Sequence, residues 1–204
     1  MRTIKLLIPV IAVAQACHAQ SERTARNTYM TLDAGVLRQQ DLTIKDSDGA
    51  KISYDLGFRF DYRAGAWFND SWGAEVEVGL MHNSVKSVAG ESLSTNGESL
   101  DHYQIPVMVN VLYNLPLPGR FGVHAGAGIG GVYSLFWGGN IFNSAGDLTF
   151  GFQGMLGAKY ALTDHCDLGV TYKFLGTTDH DLGFGVRASG TRSHSLLMAV
   201  TFKF

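Results

Sequence analysis

Leu196-Leu197-Met198-Ala199-Val200-Thr201-Phe202-Lys203-Phe204 ends the chain. Leu196, Met198, Val200, Phe202 and Phe204 share one face, and Leu197, Ala199, Thr201 and Lys203 share the other. This is period 2, the period of a strand, in which successive side chains point to opposite faces. It runs to the last residue with no polar tail. A strand that closes a barrel in a membrane has reason to read this way. One face meets lipid, and every backbone N–H and C=O must be paired.

The same alternation recurs upstream. Near 28–38, Met30, Leu32, Ala34 and Val36 oppose Thr31, Asp33 and Gly35. Near 53–66, Tyr54, Leu56, Phe58, Phe60 and Tyr62 oppose Asp55, Arg59, Asp61 and Arg63. Near 72–86, Trp72, Val76, Val78 and Leu80 oppose Glu75, Glu77 and Gly79. Near 102–114, Tyr103, Ile105, Val107, Val109 and Val111 oppose Gln104, Met108 and Asn110. Further strands read near 120–136, 147–161 and 167–176. Most reach the ~9–11 residues that a tilted membrane strand needs. No later segment reaches the ~18 apolar residues of a membrane helix, so a membrane form must be a barrel.

Connections alternate in length. Short turns are expected at 69–71, 115–119 and 163–166, and long polar loops near 39–52, 87–101, 137–146 and 177–193. Short turns on a periplasmic rim and long loops outside is the outer-membrane barrel layout, and it puts both chain ends in the periplasm. Aromatics should then form girdles. Trp67, Phe68, Trp72, Tyr113, Phe121, Tyr160 and Phe204 fall on the periplasmic rim, and Tyr54, Tyr103, Tyr133, Trp137 and Phe150 on the outer rim.

Composition agrees. Charged residues make up 17% of the chain, below the usual ~25%, and there are 25 glycines. A net charge of −2 argues against a nucleic-acid partner. Residues 1–19 read as a signal peptide: Arg2 and Lys5, then the apolar run Leu6 to Ala14, then Cys17-His18-Ala19 with cleavage before Gln20. Cleavage after Ala16 would instead leave Cys17 first, but Gln15 stands where a lipoprotein signal wants a small residue. Residues 20–204 form one barrel domain, and no peptidoglycan-binding module is expected beyond Phe204.

The chain resembles the small eight-stranded outer-membrane barrels of the OmpA, OmpX and opacity-protein type. The resemblance rests on the eight alternating segments, on Ile105-Pro106-Val107-Met108-Val109-Asn110-Val111 before a Pro-rich turn, on Gly126-Ala127-Gly128-Ile129-Gly130, and on terminal Phe204. It covers residues 28–204 and implies an all-β, antiparallel up-and-down transmembrane barrel in the outer membrane. It also implies that Phe202 and Phe204 form the signal read by the barrel-assembly machinery. Leu197 and Ala199 stand where the family's terminal signal usually has a polar residue and glycine.

Two constellations are candidates for function. Asp33, Asp55, Asp61, Glu75 and Glu77 are expected to face the lumen together with Arg59, Arg63, Lys159, Lys173 and Lys203. An eight-stranded barrel is just wide enough for its side chains to fill, and a buried charge must be paired. The balance therefore favours a structural network over a narrow ion path, with the glycines of the fifth strand leaving room for long partners. On the opposite face, His82 and Ser84 sit two apart near the outer-leaflet end of the third strand. They are polar residues at the headgroup boundary, or they resemble the His-x-Ser pair of lipid A deacylases, in which His activates a Ser nucleophile. No orienting carboxylate is assignable; Glu98 and Asp101 are near only across a loop. Ser193-His194-Ser195 matches that spacing less well. His165-Cys166 and Asp179-His180-Asp181 read as polar turns, without the spacing of a metal site.

The function expected is structural or surface-interacting, through loops displayed on a filled barrel. The alternatives are a lipid A deacylase-like enzyme and a small-solute pore. A lipocalin-like soluble barrel is disfavoured because its outside would be polar. Expected partners are outer-membrane lipid and lipopolysaccharide, the assembly machinery and an extracellular ligand of the loops. No cofactor is expected.

Overall fold

A computed structural model describes residues 27–44, 50–92, 100–115, 117–138, 142–181 and 187–204. The expected signal peptide lies outside them. Eight long strands form the wall: β1 Thr28–Gln39, β2 Gly57–Trp67, β3 Trp72–Val88, β4 Asp101–Leu115, β5 Phe121–Gly138, β6 Phe142–Thr163, β7 Cys166–Thr177 and β8 Arg192–Lys203. Each pairs antiparallel with its neighbours in sequence. β8 closes on β1, with Leu32 opposite Val200 and Met30 opposite Phe202. The closed ring leaves no exposed edge, which is the condition for crossing lipid with strands.

The faces run in the membrane sense. In β8, Leu196 and Met198 are 54% and 74% exposed, whereas Leu197 is fully buried. Large apolar residues such as Phe60, Val78, Val109 and Leu168 project outward all around the wall. Arg59, Asp61, Glu77 and Lys173 are buried inside. That inversion is stable only where the outside is hydrocarbon.

The tight turns at 68–71, 116–120 and 164–165 share one rim. The other rim carries the connections 40–56, 89–100, 139–141 and 178–191. The third of these is far shorter than the loop expected over 137–146, because β5 and β6 run on as a hairpin. The strand expected over 53–66 is also corrected. It breaks at Asp55 and Leu56, and Lys51–Tyr54 is a separate strand. Below the break the odd residues Arg59, Asp61 and Arg63 face in; above it Ile52 is buried and Lys51 exposed. A one-residue change of phase swaps every side chain to the other face. Tyr54 therefore packs on the apolar cluster at the top of the barrel and does not belong to the outer girdle. Trp67 turns inward to stack on Tyr29, with ring centroids 5.9 Å apart.

The interior is filled in layers. From the periplasmic rim these are an apolar floor of Tyr29, Leu112 and Met155, then the charged residues, then Leu37, Met81, Met108, Val132 and Leu175. Above them lie Gln39, His102, Gln104 and Ser134, and finally an apolar cap of Leu42, Ile52, Val85, Leu100, Phe136 and Ala188.

Candidate functional site

The charged layer is built from inward positions at similar height on β1, β2, β3 and β7. Arg63 donates to Asp33 through Nε at 2.6 Å and Nη2 at 3.0 Å, and to Glu75 through Nη1 at 3.2 Å. Arg59 donates to Asp61 from Nε at 2.9 Å and to Glu77 from Nη2 at 2.7 Å. Lys173 Nζ reaches Asp61 at 2.7 Å and Glu77 at 2.9 Å. Asn110 and Gln153 supply amide donors to Glu75 and Glu77, and Gln153 also donates to Asn110 Oδ1 at 2.7 Å. Tyr29 donates to Glu75 from the floor at 2.8 Å. The bidentate, charge-assisted pairs are the strong kind, and the amides take up remaining carboxylate lone pairs.

Three expected members stand apart from this layer. Asp55 is exposed, on the far side of the phase change, and is not a lumen residue. Lys203 lies lower, donating to Asp167 at 2.7 Å, and Lys159 sits over the Trp67 ring, 5.2 Å from its centroid. Asp167 thus takes the fifth acidic place, and the inward charges still balance. The sequence reading missed Asp167, although its odd-numbered parity with Lys173 on β7 is a signal that could have placed it inward. The inward glycines of β5 make room: a Cβ on Gly128 would overlap Asn110 Oδ1, and one on Gly126 would crowd Leu112 and Met155.

On the outside, β3 and β4 pair so that Ser84 lies opposite Asp101 and His82 opposite Tyr103. Asp101 Oδ1 accepts from Ser84 Oγ at 2.9 Å and lies 3.1 Å from His82 Nε2. The His82 ring packs between Phe58 and Tyr103, with centroids 5.1 Å and 4.6 Å away. The carboxylate that spacing alone did not identify is therefore Asp101. Serine and histidine both bond the one carboxylate oxygen rather than each other.

Ser193 and Ser195 are buried inward while His194 points out, so that segment brings no serine to its histidine. Asp179 accepts from Gly190 N, and His180 bonds Thr177 and Thr191. Among the described residues, no group of His, Cys, Asp and Glu gathers to hold a metal ion. A cleft of about 390 Å³ opens at the outer rim between the start of the first loop and the two ends of the fourth, with Gln40, Thr43, Ser189 and Arg192 in its wall.

The closed, inverted barrel has counterparts among known proteins. The model of the outer membrane protein beta-barrel domain matches residues 6–204. The chain belongs to the outer-membrane β-barrel family. It is an outer-membrane protein. Among solved structures, this barrel is similar to Neisserial surface protein A, with 18% identity over 87% of this chain and 97% of that one and a TM-score of 0.60. It is similar to OprG from Pseudomonas aeruginosa, with 16% identity over 89% and 98% and a TM-score of 0.55. It also resembles the outer membrane protease OmpT from Escherichia coli, with 6% identity over 89% and 98% and a TM-score of 0.53. At these identities the likeness is one of fold, and enzymes and non-enzymes share it. No curated protein matches the chain.

Proposed function

We propose that this outer-membrane barrel is a structural and surface-interaction protein: a filled, rigid wall that presents its outer connections to the cell exterior. The observation that carries this reading is the layered interior. Three apolar layers alternate with polar ones along the axis, and the charged layer pairs its carboxylates with guanidinium, ammonium and amide donors. A solute path would have to cross all of them. The network holds β1, β2, β3 and β7 at fixed spacing, and function is left to the rims and the outer surface. Phe202 and Phe204 serve assembly, and the loops meet an extracellular partner.

Planar-bilayer recording of the purified, folded protein tests this reading. A silent baseline is expected; large, steady, ohmic openings would overturn it in favour of a small-solute pore.

A second reading rests on Asp101, which joins His82 and Ser84 at the outer-leaflet end of the wall. Rotation of the Ser84 hydroxyl towards His82 would make a nucleophile, base and orienting acid aimed at an ester in the lipid. Lipid A mass spectra from cells with the native protein and with Ser84→Ala decide it. An unchanged acyl pattern ends the enzyme reading.

A further inference from the structure

The inward charges balance in number but not in place. The central layer sets Asp33, Asp61, Glu75 and Glu77 against Arg59, Arg63 and Lys173, with one carboxylate in excess. The periplasmic mouth sets Lys159 and Lys203 against Asp167, with one cation in excess. Asp167 is taken by Lys203, and Asp33 and Glu75 are taken by Arg63. Lys159 has no carboxylate within ion-pair reach among the described residues. Its ammonium carries three donors, and the Trp67 ring, 5.2 Å away at its centroid, covers one side of it.

These groups line a cavity of about 40 Å³ at the periplasmic end of the lumen. Tyr29 and Leu112 of the apolar floor close it inward, and half-buried Lys159, Lys203 and Trp67 stand at its mouth. Two further donors turn towards it. Thr31 Oγ1 and Thr201 Oγ1 lie 2.8 Å apart in its wall. One hydroxyl donates to the other, and the accepting hydroxyl keeps its own proton for the cavity. The buried His124 ring is also in the wall. Its Nε2 is sealed against Gly157, where a Cβ would overlap the ring, and beside Thr171. Nδ1 is the polar edge left to the cavity, and it bonds nothing else among the described residues.

We propose that this cavity is a binding site for a small monovalent anion, of halide size, taken up from the periplasm. Lys159 supplies the charge, and the threonine hydroxyl and the His124 ring N–H complete the shell. Asp167 is in the wall as well, but Lys203 neutralises it at 2.7 Å. Water would satisfy the hydroxyl and the ring and leave the Lys159 charge unmatched. Indole, phenol and leucine walls lower the local dielectric and strengthen the attraction. The space suits a few waters or one small ion and is too small for a sugar or a phosphate ester. The floor seals the inner end, so an occupied cavity conducts nothing, and the site stands or falls apart from the surface-interaction reading.

The test uses iodide, which quenches indole fluorescence on contact, on the folded barrel in non-ionic detergent. Trp72→Phe/Trp137→Phe leaves Trp67 as the reporter, and gluconate, too large for the cavity, holds the ionic strength constant. Quenching should saturate, with half-saturation below the physiological ~0.15 M, and chloride should relieve it. Lys159→Gln should raise the half-saturation concentration tenfold or more, the loss of one charge-assisted contact at ~1.4 kcal/mol per tenfold. Lys86→Gln, which removes an exposed cation near the other end of β3, should leave it unchanged. Heat-modifiable gel mobility confirms that each variant is folded. Chlorine NMR line broadening by the unaltered protein should saturate over the same range. Absence of that broadening overturns the proposal without recourse to any variant. Quenching that rises without saturating, that chloride does not relieve, or that survives Lys159→Gln unchanged overturns it too.

Discussion

Lys173 of β7 reaches across the lumen to Asp61 of β2, Nζ to Oδ2 at 2.7 Å. The residues are fully buried, and β8 and β1 lie between their strands on that side of the wall. The bond is therefore a strut through the interior rather than a neighbour contact along it. Lys173→Met keeps the bulk and removes the charge, leaving Arg59 as the remaining ion-pair partner of Asp61 and Glu77 among the described residues. Breaking one partner of a buried pair costs about 3–5 kcal/mol. The expected outcome is a lower urea midpoint for loss of the heat-modifiable band. An unchanged midpoint would mean that the network contributes little to stability.

The same network depends on a missing side chain. Asn110 donates to Glu75 and Glu77 and accepts from Gln153, and its Oδ1 occupies the space where a Gly128 Cβ would stand. Gly128→Ala should force Asn110 off these partners and cost about 1–3 kcal/mol, the usual range for overpacking. If the clash is the cause, Asn110→Ala in the same chain should make the two costs less than additive. Chemical unfolding of the single and double variants checks this, and simple additivity would refute it.

The wall was legible in the sequence because lipid outside and charge inside make the alternation extreme, as in Phe58 to Arg63. Asp55 was misread because a phase change is invisible to an odd–even count; nothing in Tyr54-Asp55-Leu56 marks the break. Asp101 could not be assigned because its place beside His82 depends on the register of β3 against β4, which sequence spacing does not set. Asp167 was missed although its parity with Lys173 puts it on the inward face, because it stands at the first residues of its strand, beside the turn expected at 163–166.

The fourth outer connection should respond to acid. His180 lies beyond the barrel strands, its Nε2 bonded by the Thr191 and Thr177 hydroxyls at 2.8 Å and 3.1 Å, with Asp147 facing Nδ1 at 3.6 Å. Burial pushes its imidazole pKa below the ordinary value, and Asp147 and Asp179 offset part of that. A pKa lower in the folded state than in the unfolded one favours the neutral ring. That stability is present above the unfolded value of ~6.5 and declines as pH falls through it. Protection factors at 187–191, corrected for the pH dependence of intrinsic amide exchange, should therefore be lower at pH 5 than at pH 7.5. His180→Gln should remove most of the difference, and an undiminished difference would assign it to another group.

The last residue closes the ring. Phe204 N donates to the Thr28 carbonyl at 2.9 Å, one step beyond the pair of Tyr29 with Lys203, and its ring lies exposed at the periplasmic rim. Deleting Phe204 removes the outermost bond of the seam and an aromatic anchor together, and it shifts Lys203 to the terminus. Phe202, two residues earlier on the same face, cannot replace it, because it pairs with Met30 one step further into the wall. Deletion should lower the amount of heat-modifiable protein in the outer membrane more than removal of Glu91 from the second outer connection, since that residue lies outside the barrel wall. Quantifying the folded band in outer-membrane fractions of the two strains measures this. Native levels of the Phe204-deleted protein would show that the terminal aromatic is dispensable for assembly.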